Sequence, residues 1–179
     1  MKALIVIDVQ KEYMAQYESI LMSDINGSIL QAAENDELVI YIKNVRKLRS
    51  EPTTYDFVET LKIVSDKIFY KEKPSAFSNA ELINLLNKNN ISQIEIVGVD
   101  GNSCVAFSAV DGIKFGYDVT LRLNCIGIKN SLKFEKKLAD LKERGIRVIY
   151  PTVCYLMYKA AISSIYKFDG LFLPPSLGD

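Results

Sequence analysis

The chain has 179 residues, 49% hydrophobic and 25% charged, the proportions of a soluble globule long enough to bury about 70% of its unfolded surface. Lysine and arginine number 22 and so do aspartate and glutamate, a balance that argues against a nucleic-acid surface, an anionic-membrane surface or disorder. Histidine is absent, which removes His-ligated zinc, a Ser-His-Asp triad and a Cys-His pair and leaves acid–base work to Asp, Glu, Lys, Cys or Tyr.

Short apolar runs alternate with amphipathic stretches, which predicts an α/β fold with a parallel sheet. The first run, Lys2–Ile7, stops at Asp8 and is too short for a signal-peptide core or a membrane span. With no export signal the expected location is the cytoplasm, and three cysteines read as reduced thiols. Further strands are predicted at Leu38–Lys43, Lys67–Lys71, Gln93–Gly98, Tyr117–Leu123 and Arg147–Tyr150, nearly continuous in branched aliphatic or aromatic residues, as when helices cover both faces. Helices fall between them. Asn79–Asn89 puts Leu82, Ile83, Leu85 and Leu86 on one side with Asn79 as N-cap. Asn102–Phe115, with Ala106, Ala109 and Gly112, packs closely on the sheet and ends at Gly116. Ser131–Arg144 carries Leu132, Leu138 and Leu141 and ends at Gly145. The polar segment Lys47–Tyr55 reads as a loop, Val153–Phe168 as a helix and Leu171–Asp179 as an extended tail. No domain boundary is visible, so residues 1–179 are expected to form one domain, with the C-terminal helix and tail beginning near residue 151. The bulky residues of that terminal stretch exceed what one buried helix face needs, which predicts a homo-oligomer, most simply a dimer.

In an open parallel sheet ligands bind outside the carboxyl ends of the strands. Asp8 ends the first strand, Lys71 the third, and the fourth runs into Gly98-Val99-Asp100-Gly101-Asn102-Ser103-Cys104. A carboxylate, an amine and a thiol therefore meet at one edge. Cys104 sits in the first turn of the following helix, where the helix dipole and a nearby cation favour its thiolate. Taken singly, each residue also has a plain structural reading: a loop cap, a surface charge and a small buried hydrophobe. Cys125, after the fifth strand, and Cys154 read as packing residues.

The stretch ALIVIDVQKEY resembles the opening of the isochorismatase-like cysteine hydrolases: an apolar strand, then Asp, x, Gln and an aromatic three residues further. DKIFYKEKPSAF is similar to their third-strand motif, and IVGVDGNSCVAFSAVDGIKFGYDVTL to their nucleophile segment. The resemblance implies a three-layer α/β/α fold with a doubly wound, six-stranded parallel sheet in the order 3-2-1-4-5-6. It also implies a catalytic set of Asp8, Lys71 and Cys104, with Lys71 preferred to Lys73, which is expected to point elsewhere. It further implies a cis peptide at Val99–Asp100 and an oxyanion hole made by the backbone N–H groups of Asp100 and Cys104. Tyr13 and Phe77, at family aromatic positions, are candidates to line the pocket.

On this reading Cys104 attacks the carbonyl of a small amide or a related carbon–nitrogen bond, and water hydrolyses the thioester. No cofactor is expected. Nicotinamidases of the family bind a metal through an Asp and histidines after the second strand, where this chain reads Lys43-Asn44-Val45-Arg46, so no metal is expected. Gly101-Asn102 replaces the usual Thr-Asp, a change expected to loosen the nucleophile loop. Two alternatives stand beside this one: a non-catalytic metabolite-binding or structural relative, and a hydrolase of an isochorismate-type vinyl ether.

Overall fold

Branched aliphatic side chains fit a pleated surface buried on both faces. The runs rich in them become parallel strands β1 (Lys2–Ile7), β2 (Leu38–Asn44), β3 (Ile68–Lys71), β4 (Gln93–Val99), β5 (Asp118–Gly127) and β6 (Arg147–Ile149). The computed structural model describes residues 1–46 and 55–150. The expected C-terminal helix and tail, Cys154 and nearly all of the predicted loop at 47–55 lie outside these. Within the compact unit Met1–Ile149 the strands form a six-stranded parallel sheet in the order β3-β2-β1-β4-β5-β6.

Alternation along each central strand feeds two cores. Ala3, Ile5 and Ile7 of β1, with Ile94 and Ile96 of β4, join a core that includes Leu82, Leu86, Val105, Ala109 and Leu141. Leu4 and Val6, with Val97 and Val99, join Leu21, Ile25 and Ile29 on the other face. Those last three lie on α2 (Ser19–Glu34), whose buried positions recur at the spacing of one helical face. A short α1 (Lys11–Met14) precedes it, and α3 (Ala80–Lys88), α4 (Cys104–Lys114) and α5 (Ser131–Glu143) cover the opposite face.

Helix boundaries follow local chemistry. The Asn79 side chain accepts from the N–H groups of Glu81 and Leu82 and caps α3. Gly116 and Gly145, both at positive φ, follow α4 and α5. On α5 the buried face is Phe134 and Leu141, while Leu132 is 76% exposed; the larger ring, two positions on, takes the core-facing place expected of Leu132. Strand β5 runs four residues beyond its expected end. Its register against β4 shifts between Ile96 and Gly98, which carries the chain through Cys125 to Gly127. Cys125 is thus inside the strand, buried, with its thiol 3.3 Å from the Asp24 carbonyl.

One charged residue sits mid-strand. Glu95 is 2% exposed and faces Arg122 at 2.6 Å and Lys2 at 2.9 Å, with Ser28 Oγ at 3.4 Å. Burial raises its carboxyl, but the two cations outweigh burial and hold it below the ordinary value.

Candidate active site

The winding of the sheet reverses between β1 and β4, and the crevice at their carboxyl ends is where such a sheet leaves room for a ligand. Gly98 makes the two strand ends meet closely. Its φ is +113°, and a Cβ there would collide with the Ile7 carbonyl oxygen.

Asp8 follows β1 in the left-handed region, at φ 54°, a conformation that Asp tolerates better than most residues. Its N–H donates to the Ile42 carbonyl at 3.0 Å. The side chain of Gln10, fully buried, accepts from the Asn44 N–H at 2.7 Å and donates to the Asn44 carbonyl at 3.2 Å. In the Asp-x-Gln pair, then, the glutamine ties the end of β2 to the segment after β1. Lys71 is the last residue of β3, in register with Asn44, and is 3% exposed.

The buried Lys71 Nζ lies 2.8 Å from Asp8 Oδ2 and 3.3 Å from Cys104 Sγ. Asp8 is 2% exposed, its Oδ1 takes no hydrogen bond from a described residue, and Cys104 and Asn44 are polar groups close to its carboxyl. Burial raises the Asp8 carboxyl above the usual range, against the pull of Lys71. The Cys104 thiol is pushed up to about 11, first by burial, then by the Asp8 charge, with Lys71 opposing. This corrects the expectation of a thiolate favoured by dipole and cation. Desolvation outweighs the Lys71 cation and the Asp8 charge adds to it, so at neutral pH the thiol carries its proton.

The Val99–Asp100 peptide is cis. The N–H groups of Asp100 and Cys104 donate to no acceptor among the described residues, whereas those of Ser103 and Val105 both reach the Asp100 carbonyl. The Asp100 side chain accepts from Tyr17 Oη at 3.1 Å and from the Asn102 N–H at 2.6 Å. Gly101 donates to the Gly127 carbonyl at 2.8 Å, and Asn102 exchanges two hydrogen bonds with the Asn130 backbone. A Cβ on Gly101 would lie 2.9 Å from Ile126 and 3.0 Å from Phe134. Gly101-Asn102 therefore fastens the loop rather than loosening it: the glycine admits two core side chains and the amide pins the turn.

A cavity of about 640 Å³ opens over these groups, lined by Asp8, Tyr13, Val99, Asp100 and Cys104 among others. Tyr13 lies where expected, its phenol pushed up to about 12 by burial and by the charges of Asp8 and Cys104. Phe77 does not line it. Its ring enters the core, stacked on Phe115 at 5.5 Å and beside Tyr117 at 5.7 Å, and borders a separate cavity. Ser75 accepts from the Phe77 N–H, and Ser108 Oγ accepts from Ala76 and donates to the Cys104 carbonyl. The Ser-Ala-Phe motif thus anchors the segment after β3 onto α4. Lys71, as expected, takes the place beside Asp8 and Cys104, while Lys73 is exposed at the rim where the chain leaves β3 and borders both this cavity and the one beside Phe77. Tyr17, Arg46 and Lys129 also line it. Arg46 and Lys129 follow strand ends, so the rule that found Asp8 reaches them; Tyr17 lies between two helices and carries no periodic signal.

Comparison with known proteins agrees with this architecture. The family model for the isochorismatase domain matches residues 2–153. A Bacillus subtilis (strain 168) protein described as the uncharacterized isochorismatase family protein YaaI is 27% identical over 144 residues, which cover 70% of this chain and 80% of the relative. The pyrazinamidase of Pyrococcus horikoshii, solved in complex with zinc, superposes with a TM-score of 0.75 at 22% identity over 84% of this chain and 99% of its own. The N-carbamoylsarcosine amidase of Thermoplasma acidophilum superposes with a TM-score of 0.69 at 15% identity over 83% and 95%. At such identities these solved structures share the fold. With the domain model matched over most of its length, the chain belongs to the isochorismatase domain family.

Proposed function

We propose that the chain is a metal-independent cysteine hydrolase of a small amide or related carbon–nitrogen bond. The observation that carries this reading is the Lys71 ammonium, buried between Asp8 at 2.8 Å and Cys104 at 3.3 Å. A thiol, a carboxylate with a free lone pair and a cation in one desolvated crevice are what nucleophilic catalysis without histidine requires.

The thiol at about 11 gives up its proton as the carbon–sulfur bond forms. Asp8, raised by burial, is a better base than an ordinary Asp and takes that proton. The carbonyl π pair moves onto oxygen, held by the unpaired N–H groups of Asp100 and Cys104, each donor worth about 3–4 kcal/mol in comparable acyl-transfer sites. Asp8 protonates the departing nitrogen, the C–N bond breaks, and a Cys104 thioester remains. Water then adds, giving a proton to Asp8. The tetrahedral species expels the sulfur, which recovers the proton, and a carboxylic acid leaves. Lys71 holds Asp8 in place and offsets negative charge as it forms on sulfur.

A metal such as the zinc of the Pyrococcus neighbour does not fit. The sequence holds no histidine, and the described residues contain no cluster of three or more Cys, Asp or Glu that could hold an ion. At the end of β2 and just after it, where nicotinamidases place ligands, Lys43 lies over the Phe57 ring and Arg46 lines the cavity. A second reading, protonation of a vinyl ether by Asp8, draws on the raised carboxyl and its unpartnered Oδ1. It predicts isochorismate cleavage that survives Cys104→Ala.

The test is a panel of small amides with ammonia as readout, on wild type and Cys104→Ala, with and without a chelator. Ammonia release by wild type alone, indifferent to the chelator, is the expected result. Equal release by Cys104→Ala, or loss of activity together with a stoichiometric metal, contradicts the reading.

A further inference from the structure

The same cavity has a charged mouth that the chemistry above does not use. Arg46, after β2, Lys73, after β3, and Lys129, after β5, all line it, and all three are exposed. None makes an ion pair with a described residue. The lining carboxylates are Asp8, Asp100 and Glu72. Asp8 is neutralised by Lys71, and Asp100 is engaged by Tyr17 and Asn102. With the Asp8–Lys71 pair neutral, three cations stand against Asp100 and Glu72, and the lining is net positive. The floor is different: Asp8 and Val99 are buried, and the unpaired Asp8 Oδ1 asks for a donor such as an amide N–H.

Resting on the hydrolase reading, we infer that the substrate is a small amide carrying a carboxylate: its amide sits on the floor at Cys104 and its carboxylate at the mouth, among Arg46, Lys73 and Lys129. A carboxylate is the complement of this arrangement. The planar Arg46 fork matches its two oxygens, and the two lysines add point charges without geometric demand. A cavity of about 640 Å³ has space for a short chain linking the two ends. A neutral amide gains nothing at the mouth. A cationic one is repelled there, because Asp100 and Glu72 together do not balance the three cations.

Succinamate and succinamide share a skeleton and differ in the charge at one end, so they isolate the mouth. Their binding is measured by calorimetry on Cys104→Ala, which cannot turn over. Succinamate is expected to bind about tenfold more tightly at low salt, since exposed ion pairs are each worth only a few-fold. The gap narrows as salt screens the mouth. Arg46→Gln and Lys73→Gln should each cut the preference about threefold, and Lys88→Gln, at the end of α3, should leave it intact. Equal affinities, tighter binding of succinamide, no binding of either, or equal loss in Lys88→Gln overturns the inference. Because this assay needs no chemistry, its failure is separable from that of the hydrolase reading. Amide hydrolysis without carboxylate preference sinks only the inference. Selective binding with no hydrolysis of any amide sinks only the mechanism.

Discussion

Replacing Asp8 by Asn should make Cys104 more reactive toward an alkylating agent while abolishing hydrolysis. The Cys104 thiol stands at about 11 against an ordinary 9.0. At pH 7.5 about 3 thiols in 10,000 are then ionised, against about 3 in 100 for an unperturbed one, so the full shift is a factor of about 100 in thiolate. Burial is the first cause and the Asp8 charge the second, so removing the charge recovers part of that factor. An acceleration of about three- to tenfold is expected, with about 100-fold as the ceiling. Lys71→Met acts the other way, because it removes the cation beside the sulfur, which favours the thiolate. The assay is the rate of iodoacetamide labelling at Cys104, read by peptide mass to separate it from Cys125 and Cys154. Each substitution leaves a buried charge without its partner, at a cost of about 3–5 kcal/mol, so rates are compared below the measured unfolding temperature of each variant. Slower labelling of Asp8→Asn, or faster labelling of Lys71→Met, would refute the electrostatic account: the resting sulfur would then be a thiolate paired with lysine.

Three further outcomes are expected. Glu95, held below 4.5 by Arg122 and Lys2, contributes stability that is present above pH 4.5 and lost as pH falls through its lower folded value. Asp8, raised above 3.8, contributes in the opposite sense, so the pH dependence that disappears in Glu95→Gln, measured by denaturant melts, isolates the Glu95 share; an unchanged acid limb contradicts it. Gly101→Ala should cost about 1–3 kcal/mol by overpacking against Ile126 and Phe134, and wild-type stability in chemical denaturation would show that the loop yields freely. Light scattering should report a dimer or larger assembly, as expected from the apolar residues beyond Val153, and a mass fixed near 20.2 kDa at every concentration would exclude it.

The strands were legible because a strand buried on both faces must be almost continuously apolar, whereas the sheet order came only with the family resemblance that three motifs, at the ends of the first, third and fourth strands, carry. The long helix α2 was not delimited. Its buried positions are diluted by Ser23, Asn26, Gly27 and Ser28, and Ser28 is buried against Glu95 rather than exposed. The convergence of Asp8, Lys71 and Cys104 follows from strand ends alone. The thiol's electrostatics do not, because desolvation depends on how deeply packing encloses a group. Phe77 illustrates the same limit: one aromatic residue suits a pocket wall and a core equally, and its ring's place against Phe115 and Tyr117 is set by tertiary packing. The role of Gly101 was hidden because its crowding comes from Ile126 and Phe134, more than twenty residues away in sequence.

The claim that Cys104 carries the acyl group is tested most directly by intact-mass spectrometry of the protein quenched in acid during turnover of an amide that releases ammonia. The account predicts an adduct equal to the amide minus ammonia, located on Cys104, abolished in Cys104→Ala, and accumulating at a rate matched to ammonia release. Ammonia release with no adduct on Cys104 in the quenched protein, and undiminished in Cys104→Ala, would contradict it.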